Sequence, residues 1–270
     1  MIPKIIHYCW ISENPTSELP EEVKKCINSW KKFLPDYKIV QWNLNNINIE
    51  QNRYMKEAYL SKKYAFVSDY IRLYALYNYG GIYLDTDVKV IKSFDKLLNN
   101  KVFMGFETLD GIATCVIGAE KESLLIKELL EIYTNRDFIK SDGNFDMTPN
   151  TLLIKPLLKN YSISFNNMLQ KKDCITVYPI EYFCPLDRLT GDINITENTY
   201  AIHLFSGSWI SKKEKERLIL YRKYYTKLKK FCFSNLADFI AKGIATYNIE
   251  GYIGVKNRFF NKLKRLFYER

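Results

Sequence analysis

The stretch Gly80-Gly81-Ile82-Tyr83-Leu84-Asp85-Thr86-Asp87 decides the fold. Helical periodicity runs into it from about Met55 to Tyr79 and stops at Gly80-Gly81, a C-terminal cap signal. Ile82–Ile91 then reads as a strand interrupted by acids. A strand that stays apolar to its end and then shows two acids in three residues puts carboxylates at the carboxyl edge of a sheet. Open α/β sheets bind their ligands at that edge. Two clustered carboxylates suit a hard divalent cation that also holds phosphate oxygens, although the triplet alone reads equally well as a solvated turn.

Outward from this point, strands and helices alternate. Lys4–Ile11 and Tyr37–Trp42 read as strands, with a helix between them from Leu19-Pro20 to Phe33. Val102–Phe106 and Ala113–Gly118 read as further strands, and Lys121–Thr134 as a helix. Thr176–Tyr178 and Tyr200–Leu204 read as short late strands, and Asp137–Pro149 as a polar, mobile loop. The alternation implies an α/β fold with a mainly parallel central sheet. From Lys212 to the end the pattern is helical and basic, which divides the chain into a catalytic-looking 1–211 and a helical extension 212–270.

On the helix before the acids, Ala65-Phe66-Val67-Ser68-Asp69-Tyr70-Ile71-Arg72 puts Asp69 and Arg72 three apart and so on one face. Such a pair is commonly a surface ion pair of little consequence. Here the surrounding residues are apolar and aromatic, which favours a pair directed into a site. The chain has only two histidines: His7 sits with Trp10 at the end of the first strand, and His203 ends a late strand ahead of Gly207-Ser208-Trp209.

The run A-x-x-S-D-x-x-R (Ala65–Arg72) followed by G-G-x-Y-x-D-x-D (Gly80–Asp87) resembles the sugar-binding D-x-D region of glycosyltransferase family 32. Ile2–Trp10 is similar to that family's P-K-x-I-H-x-x-W opening, and Tyr200–His203 with Ser208-Trp209 to its late H…S-W element. The resemblance covers roughly residues 1–210 and implies a GT-A (Rossmann-like) nucleotide-sugar-binding fold. It implies a retaining transfer of a hexose from a nucleotide sugar to a glycan acceptor, with Mn²⁺ or Mg²⁺ as cofactor. On that resemblance Asp87 ligates the metal, and Asp85 touches the donor ribose or sugar and the metal's water shell. Asp69 and Arg72 hold the sugar hydroxyls, with Arg72 also near the phosphates. Trp10 lies against the nucleobase, His7 supports that donor-binding loop, and His203 approaches the metal or diphosphate. Ser208 and Trp209 close over the diphosphate. The family's T-G-P element appears here as Met147-Thr148-Pro149, without its glycine, so acceptor roles transfer less directly to Asp137–Asn150.

Charge separates along the chain. The formal net charge is +10, with 40 Lys+Arg against 30 Asp+Glu. Residues 212–270 hold 16 of those cations and 5 of those acids, so the body is close to neutral. That distribution argues against a nucleic-acid-binding body. Within the tail, Val255–Phe267 sets Phe259, Phe260, Leu263, Leu266 and Phe267 along one stripe flanked by lysines and arginines. This is the pattern of an interfacial helix, so residues 255–268 are expected to meet an anionic membrane surface. The six cysteines form no C-x-x-C pair, which speaks against a simple zinc or redox motif. The opening residues lack the features of a signal peptide, and the expectation is a cytoplasmic protein peripheral to the inner face of the membrane. A UDP-hexose donor and a polyprenyl-diphosphate-linked acceptor, as in bacterial surface polysaccharide assembly, are the favoured substrates. GDP-mannose is the alternative donor. A metal-dependent nucleotidyltransferase or phosphohydrolase, or a non-enzymatic adaptor, are the competing classes.

Overall fold

The computed structural model describes residues 1–12, 18–207 and 212–268, with side chains as far as residue 258. Its elements in chain order begin with β1 (Ile5–Cys9), α1 (Glu21–Phe33), β2 (Lys38–Trp42), α2 (Arg53–Leu60) and α3 (Tyr64–Tyr79). The site-bearing strands follow: β3 (Gly81–Leu84), β4 (Val88–Val90), β5 (Val102–Thr108) and β6 (Gly111–Ala119). Then come α4 (Leu124–Glu131), α5 (Asn150–Asn160), β7 (Gln170–Lys171), β8 (Thr176–Tyr178) and β9 (Ala201–His203). The chain ends in α6 (Lys212–Leu228) and α7 (Ser234–Tyr268).

Seven strands form one sheet in the order β2-β1-β3-β6-β5-β8-β7, and β4 pairs with β9 in a separate ribbon. β2, β1, β3, β5 and β8 run one way, while β6 and β7 oppose them. The sheet is therefore mainly parallel, as expected of a GT-A-type fold, with β6 as an antiparallel insertion in its middle. Period-two alternation assigns each strand's side chains to two layers. Tyr83, Val102, Met104 and Ile117 join the cluster under α2 to α5, whereas Ile6, Ile82, Leu84, Phe103 and Val116 join the cluster with α1.

Two expectations change, and one helix appears that the sequence did not announce. The single helix over 55–79 is two helices, because the chain folds back at Ser61–Lys63 with Lys62 at φ 56°. The Ser61 N–H bonds Glu57 O and the Lys63 N–H bonds Ala58 O, so this closure is made by a lysine and carries no glycine signal. The strand 82–91 breaks at its acids: Val88 N–H bonds Asp85 O in a turn, and the chain leaves the main sheet to pair with β9. Helix α5, starting right after Pro149, was not legible, since Pro156 lies inside it.

The polar loop Asp137–Pro149 is anchored near both of its ends. Glu57 Oε2 accepts the N–H groups of Phe138 and Ile139, both at 2.9 Å, and Arg136 pairs with Asp146 at 2.5 Å. Phe138 is fully buried among Tyr54, Phe66 and Phe145.

The chain divides into two compact units, Met1–Pro185 with Asn194–Ser206, and Leu186–Ile193 with Gly207–Arg270. The second unit thus takes in a short segment from within the 1–211 span. Its core is a stripe of Ala237, Ala241 and Ala245 on α7 against Tyr221 and Tyr225 of α6. Tyr221 donates to Asp238 at 2.8 Å. Gly251, at φ 66°, breaks α7 into two helices.

Candidate active site

The acids sit where β3 ends. All four β3 residues are buried, and the Asp85 N–H bonds Cys115 O of β6 at 2.9 Å, so the sheet fixes the first carboxylate. The β4–β9 ribbon fixes the second: Val88 stands opposite His203, and the His203 ring lies 3.3 Å from Asp87 Oδ1 through Nε2. Asp87 also accepts the Ser206 N–H at 2.8 Å, and its carbonyl accepts the Leu204 N–H at 2.9 Å. The chain leading toward 208–211 is therefore clasped by the second acid. Ser208 and Trp209 themselves lie outside the described residues.

Helix α3 supplies the cation. Arg72, 4% exposed, reaches Asp85 Oδ1 at 2.9 Å and Asp69 Oδ1 at 3.1 Å. It also donates to the Thr114 hydroxyl at 2.6 Å and covers the Tyr83 ring at 4.9 Å from its centroid. Thr114 in turn donates to Asn150 Oδ1 at 2.9 Å. One connected network thus runs Asn150–Thr114–Arg72–Asp85. Burial raises Asp69 from 3.8 to about 7, with Arg72 pulling it down and Asp85 pushing it up. Burial also raises Asp85 against the pull of Arg72. For Asp87, burial acts upward, and the His203 hydrogen bond and Ser206 N–H more than offset it, leaving a firmly ionised carboxylate.

One carboxylate oxygen each from Asp85 and Asp87 and one ring nitrogen of His203 all lie within 4.8 Å of one another. Two oxygens and an imidazole form a donor set that fits a divalent cation of the Mn²⁺ or Mg²⁺ kind. Asp85 is paired with the Arg72 guanidinium and shifted upward by burial, whereas Asp87 is shifted downward and carries no arginine, so Asp87 is the stronger candidate for direct ligation.

Asp69, Arg72, Asp85, Asp87 and His203 are brought together as the sequence led one to expect. Trp10, at the end of β1, keeps a buried indole N–H without a partner among the described residues. His7 is a correction. It is 1% exposed, Trp42 donates to its Nδ1 at 3.1 Å, and its Nε2–H donates to Gly80 O at 2.8 Å. With both nitrogens spent inside the fold it cannot bind donor, and it instead fixes the Gly80-Gly81 turn ahead of the acids. Gly81, at φ 103°, passes so close that a Cβ there would sit 2.6 Å from Ile5 O.

Sequence reasoning missed Thr114 and its pairing with Asn150, both 5% exposed; Thr114 is a single hydroxyl in an apolar strand and Asn150 opens a helix that was not anticipated.

Burial lowers His7 from 6.5 to about 4. The unfolded chain therefore binds a proton there between these values and the folded one does not. Stability from this group is complete above pH 6.5 and is lost as pH falls toward 4, by at most about 3 kcal/mol. Denaturant titrations from pH 7 to 4 will show a steeper fall for wild type than for His7→Gln.

Residues 20–104 match the family described as "Glycosyltransferase sugar-binding region containing DXD motif". The resemblance carried by Ala65–Arg72 and Gly80–Asp87 is confirmed for that stretch; the opening and late elements lie outside it. The chain is 33% identical to inositol phosphoceramide mannosyltransferase 3 of Schizosaccharomyces pombe over 124 residues, covering 44% of this chain and 34% of that protein. It is 28% identical to mannosyl phosphorylinositol ceramide synthase SUR1 of Saccharomyces cerevisiae over 123 residues, covering 44% and 31%. The chain spans about a third of the length of the curated relatives it matches. Among solved structures it is similar to the PaToxG glycosyltransferase, at 20% identity and TM-score 0.45, covering 59% of this chain and 71% of that one. It is also similar to a glycosyltransferase involved in glycosylation of the major capsid of PBCV-1, at 11% identity and TM-score 0.43, covering 76% and 95%.

Proposed function

We propose, from the family match of residues 20–104, that this chain is a metal-dependent, retaining glycosyltransferase that moves a hexose from a nucleotide sugar onto a lipid-linked acceptor. The observation that carries the reading is the convergence of Asp85, Asp87 and His203 beside the buried Asp69–Arg72 pair. A nucleotidyltransferase or phosphohydrolase would use clustered carboxylates but has no need of a buried Asp–Arg pair aimed at sugar hydroxyls.

Asp85 and Asp87 would hold the divalent cation, with His203 against Asp87. When bound, the cation neutralises charge that develops on the departing diphosphate. Arg72 supplies a second, fixed positive charge on the same side, held by Asp69, Asp85 and Thr114 so that it needs no reorganisation during reaction. Asp69, with one oxygen on Arg72, keeps the other for a sugar hydroxyl. Trp10, partly exposed just after β1, offers a ring face to the base. The segment that Asp87 clasps through Ser206 leads into Ser208 and Trp209, which would close over the diphosphate and exclude water. Among the described residues no side chain is placed as a covalent nucleophile, so on this proposal the acceptor hydroxyl attacks on the face the leaving phosphate departs from, and that phosphate takes its proton.

A UDP-hexose remains the favoured donor because Trp10 suits uracil stacking. A mannosyl donor is the second reading, supported by relatives named as mannosyltransferases. Those names, with inositol phosphoceramide as the acceptor, speak for a lipid rather than a bacterial polysaccharide. Nucleoside-diphosphate release from a panel of UDP- and GDP-sugars, with Mn²⁺, Mg²⁺ or EDTA, tests the reading. One donor should turn over at least tenfold faster than the others and only with metal. No metal-dependent binding or turnover of any nucleotide sugar sinks the proposal.

A peripheral position at the inner membrane face is part of the same proposal. No helix among the described residues is long and apolar enough to cross a membrane. The tail stripe from Phe259 onward lies outside the described side chains. Within the described part of the second unit, however, Phe231 and Phe233 are each 88% exposed, next to Lys227, Lys229 and Lys230. Exposed aromatics rimmed by lysines suit an anionic lipid surface. Cosedimentation with phosphatidylglycerol-containing vesicles should fall at least about tenfold for Phe231→Ser/Phe233→Ser, at unchanged secondary structure. Equal binding to neutral vesicles, or by the variant, argues against it.

A further inference from the structure

The fold assembles a second donor set that the transferase reading does not use. Cys115 and Cys184 lie far apart in the chain, yet their sulfurs meet at 3.6 Å, with the two residues 2% and 1% exposed. Cys115 is on β6, its carbonyl bonded to the Asp85 N–H. Cys184 follows Phe183, whose carbonyl accepts the His203 N–H at 2.9 Å. Both sulfurs and a ring nitrogen of His203 lie within 4.8 Å of one another.

Two core thiols in contact would be unremarkable if the histidine beside them were well satisfied. His203 turns Nε2 to Asp87, and its buried Nδ1 makes no well-formed hydrogen bond among the described residues, the Cys115 thiol being the weak donor set against it. A cation between Nδ1 and the two sulfurs would replace that weak contact with a coordinate bond. The sulfur separation already fits: tetrahedral bonds of about 2.3 Å put two thiolates about 3.8 Å apart.

The other side of the ring points the same way. Metal-bound histidines generally donate their second N–H to a carboxylate, which fixes the tautomer and ring orientation. Asp87 holds that position.

We propose that Cys115, Cys184 and His203 Nδ1 form a soft-metal site, taking Zn²⁺ or a similar d¹⁰ divalent ion, directly behind the carboxylate pair. Two sulfurs and an imidazole select such an ion over Mn²⁺ or Mg²⁺. Burial pushes the Cys115 thiol well above its usual range. Thiolate ligation releases the ligands' protons to solvent as the ion binds. With Nδ1 on the ion, Nε2 carries the ring's proton and donates it in a hydrogen bond to Asp87. His203 then serves the hard cation by orienting Asp87 rather than by ligating it. The site is independent of whether the chain transfers sugar.

The test is titration of the EDTA-treated full chain with Cd²⁺, followed by thiolate-to-metal charge-transfer absorption and ¹¹³Cd NMR. Wild type should bind one equivalent in a sulfur-ligated site, with a cadmium shift of two-sulfur, nitrogen-containing ligation, apart from any oxygen-ligated ion at Asp85 and Asp87. Cys184→Ala and His203→Gln should each weaken binding at least about tenfold. Cys26→Ala, a buried cysteine outside the proposed site, should retain the thiolate band. Because the NMR reading needs only wild type, misfolding of a core variant leaves the question decidable. A cadmium shift of all-oxygen ligation, or a band undiminished in Cys184→Ala, overturns the proposal, as does no binding at a few equivalents.

Discussion

Asp87→Ala is expected to lower nucleoside-diphosphate release at least about 10³-fold, the largest single effect in the molecule. Asp87 is the one acid of the pair not tied to Arg72, and the His203 ring and Ser206 N–H keep it ionised. Losing it removes the carboxylate best placed to ligate the cation and unfastens the segment entering 208–211. The alanine variant also leaves the Ser206 N–H and His203 Nε2 unpaired, costing about 1–3 kcal/mol. Asp87→Asn separates the two consequences, since its amide oxygen can still accept from Ser206. Turnover should fall almost as far with asparagine as with alanine, while thermal unfolding of the asparagine variant stays close to wild type. Metal titration provides the decisive comparison: raising Mn²⁺ should not restore either variant. Substantial Mn²⁺-dependent turnover by Asp87→Asn would assign the cation to another group.

The parts of this site that sequence revealed are those whose geometry is local. Asp69 and Arg72 share a face because they lie three apart on one helix, and Asp85 and Asp87 follow an apolar strand whose end can be seen. The alternation of strand and helix disclosed the main sheet for the same reason. What stayed hidden depends on pairing between distant segments. The reversed direction of β6 follows from its pairing with both β3 and β5, and periodicity carries no information about strand direction. Thr114 enters the site only because β6 brings it under Arg72, and Asn150 only because α5 starts there. His7, expected to support the donor-binding loop at Trp10, braces the Gly80-Gly81 turn instead, because a histidine at a strand end looks the same whether it faces a ligand loop or a glycine carbonyl. The absence of a C-x-x-C pair concealed Cys115 and Cys184, which the fold brings together from β6 and from the segment after β8.

Arg72→Ala should destabilise the first unit by about 3–5 kcal/mol, a fall in Tm of order 10 °C. The reason is burial. Asp69 is 8% exposed and Asp85 is held beside it, so removing the guanidinium strands two carboxylates in a site already unfavourable to charge. Thr114 and the Tyr83 face lose a partner in the same step. One proton taken up between Asp69 and Asp85 would relieve part of the cost, so the deficit should shrink as pH falls below 7. Arg72→Lys distinguishes charge from geometry. An ammonium keeps the charge but cannot span Asp69, Asp85 and Thr114 as the planar fork does. It should recover about half of the lost stability and little of the donor affinity, because the fork also sets the line along which the diphosphate is met. Calorimetric unfolding and donor binding by the three proteins give both readouts. A Tm for Arg72→Ala within a degree or two of wild type would mean that the two ion pairs do not hold this site together.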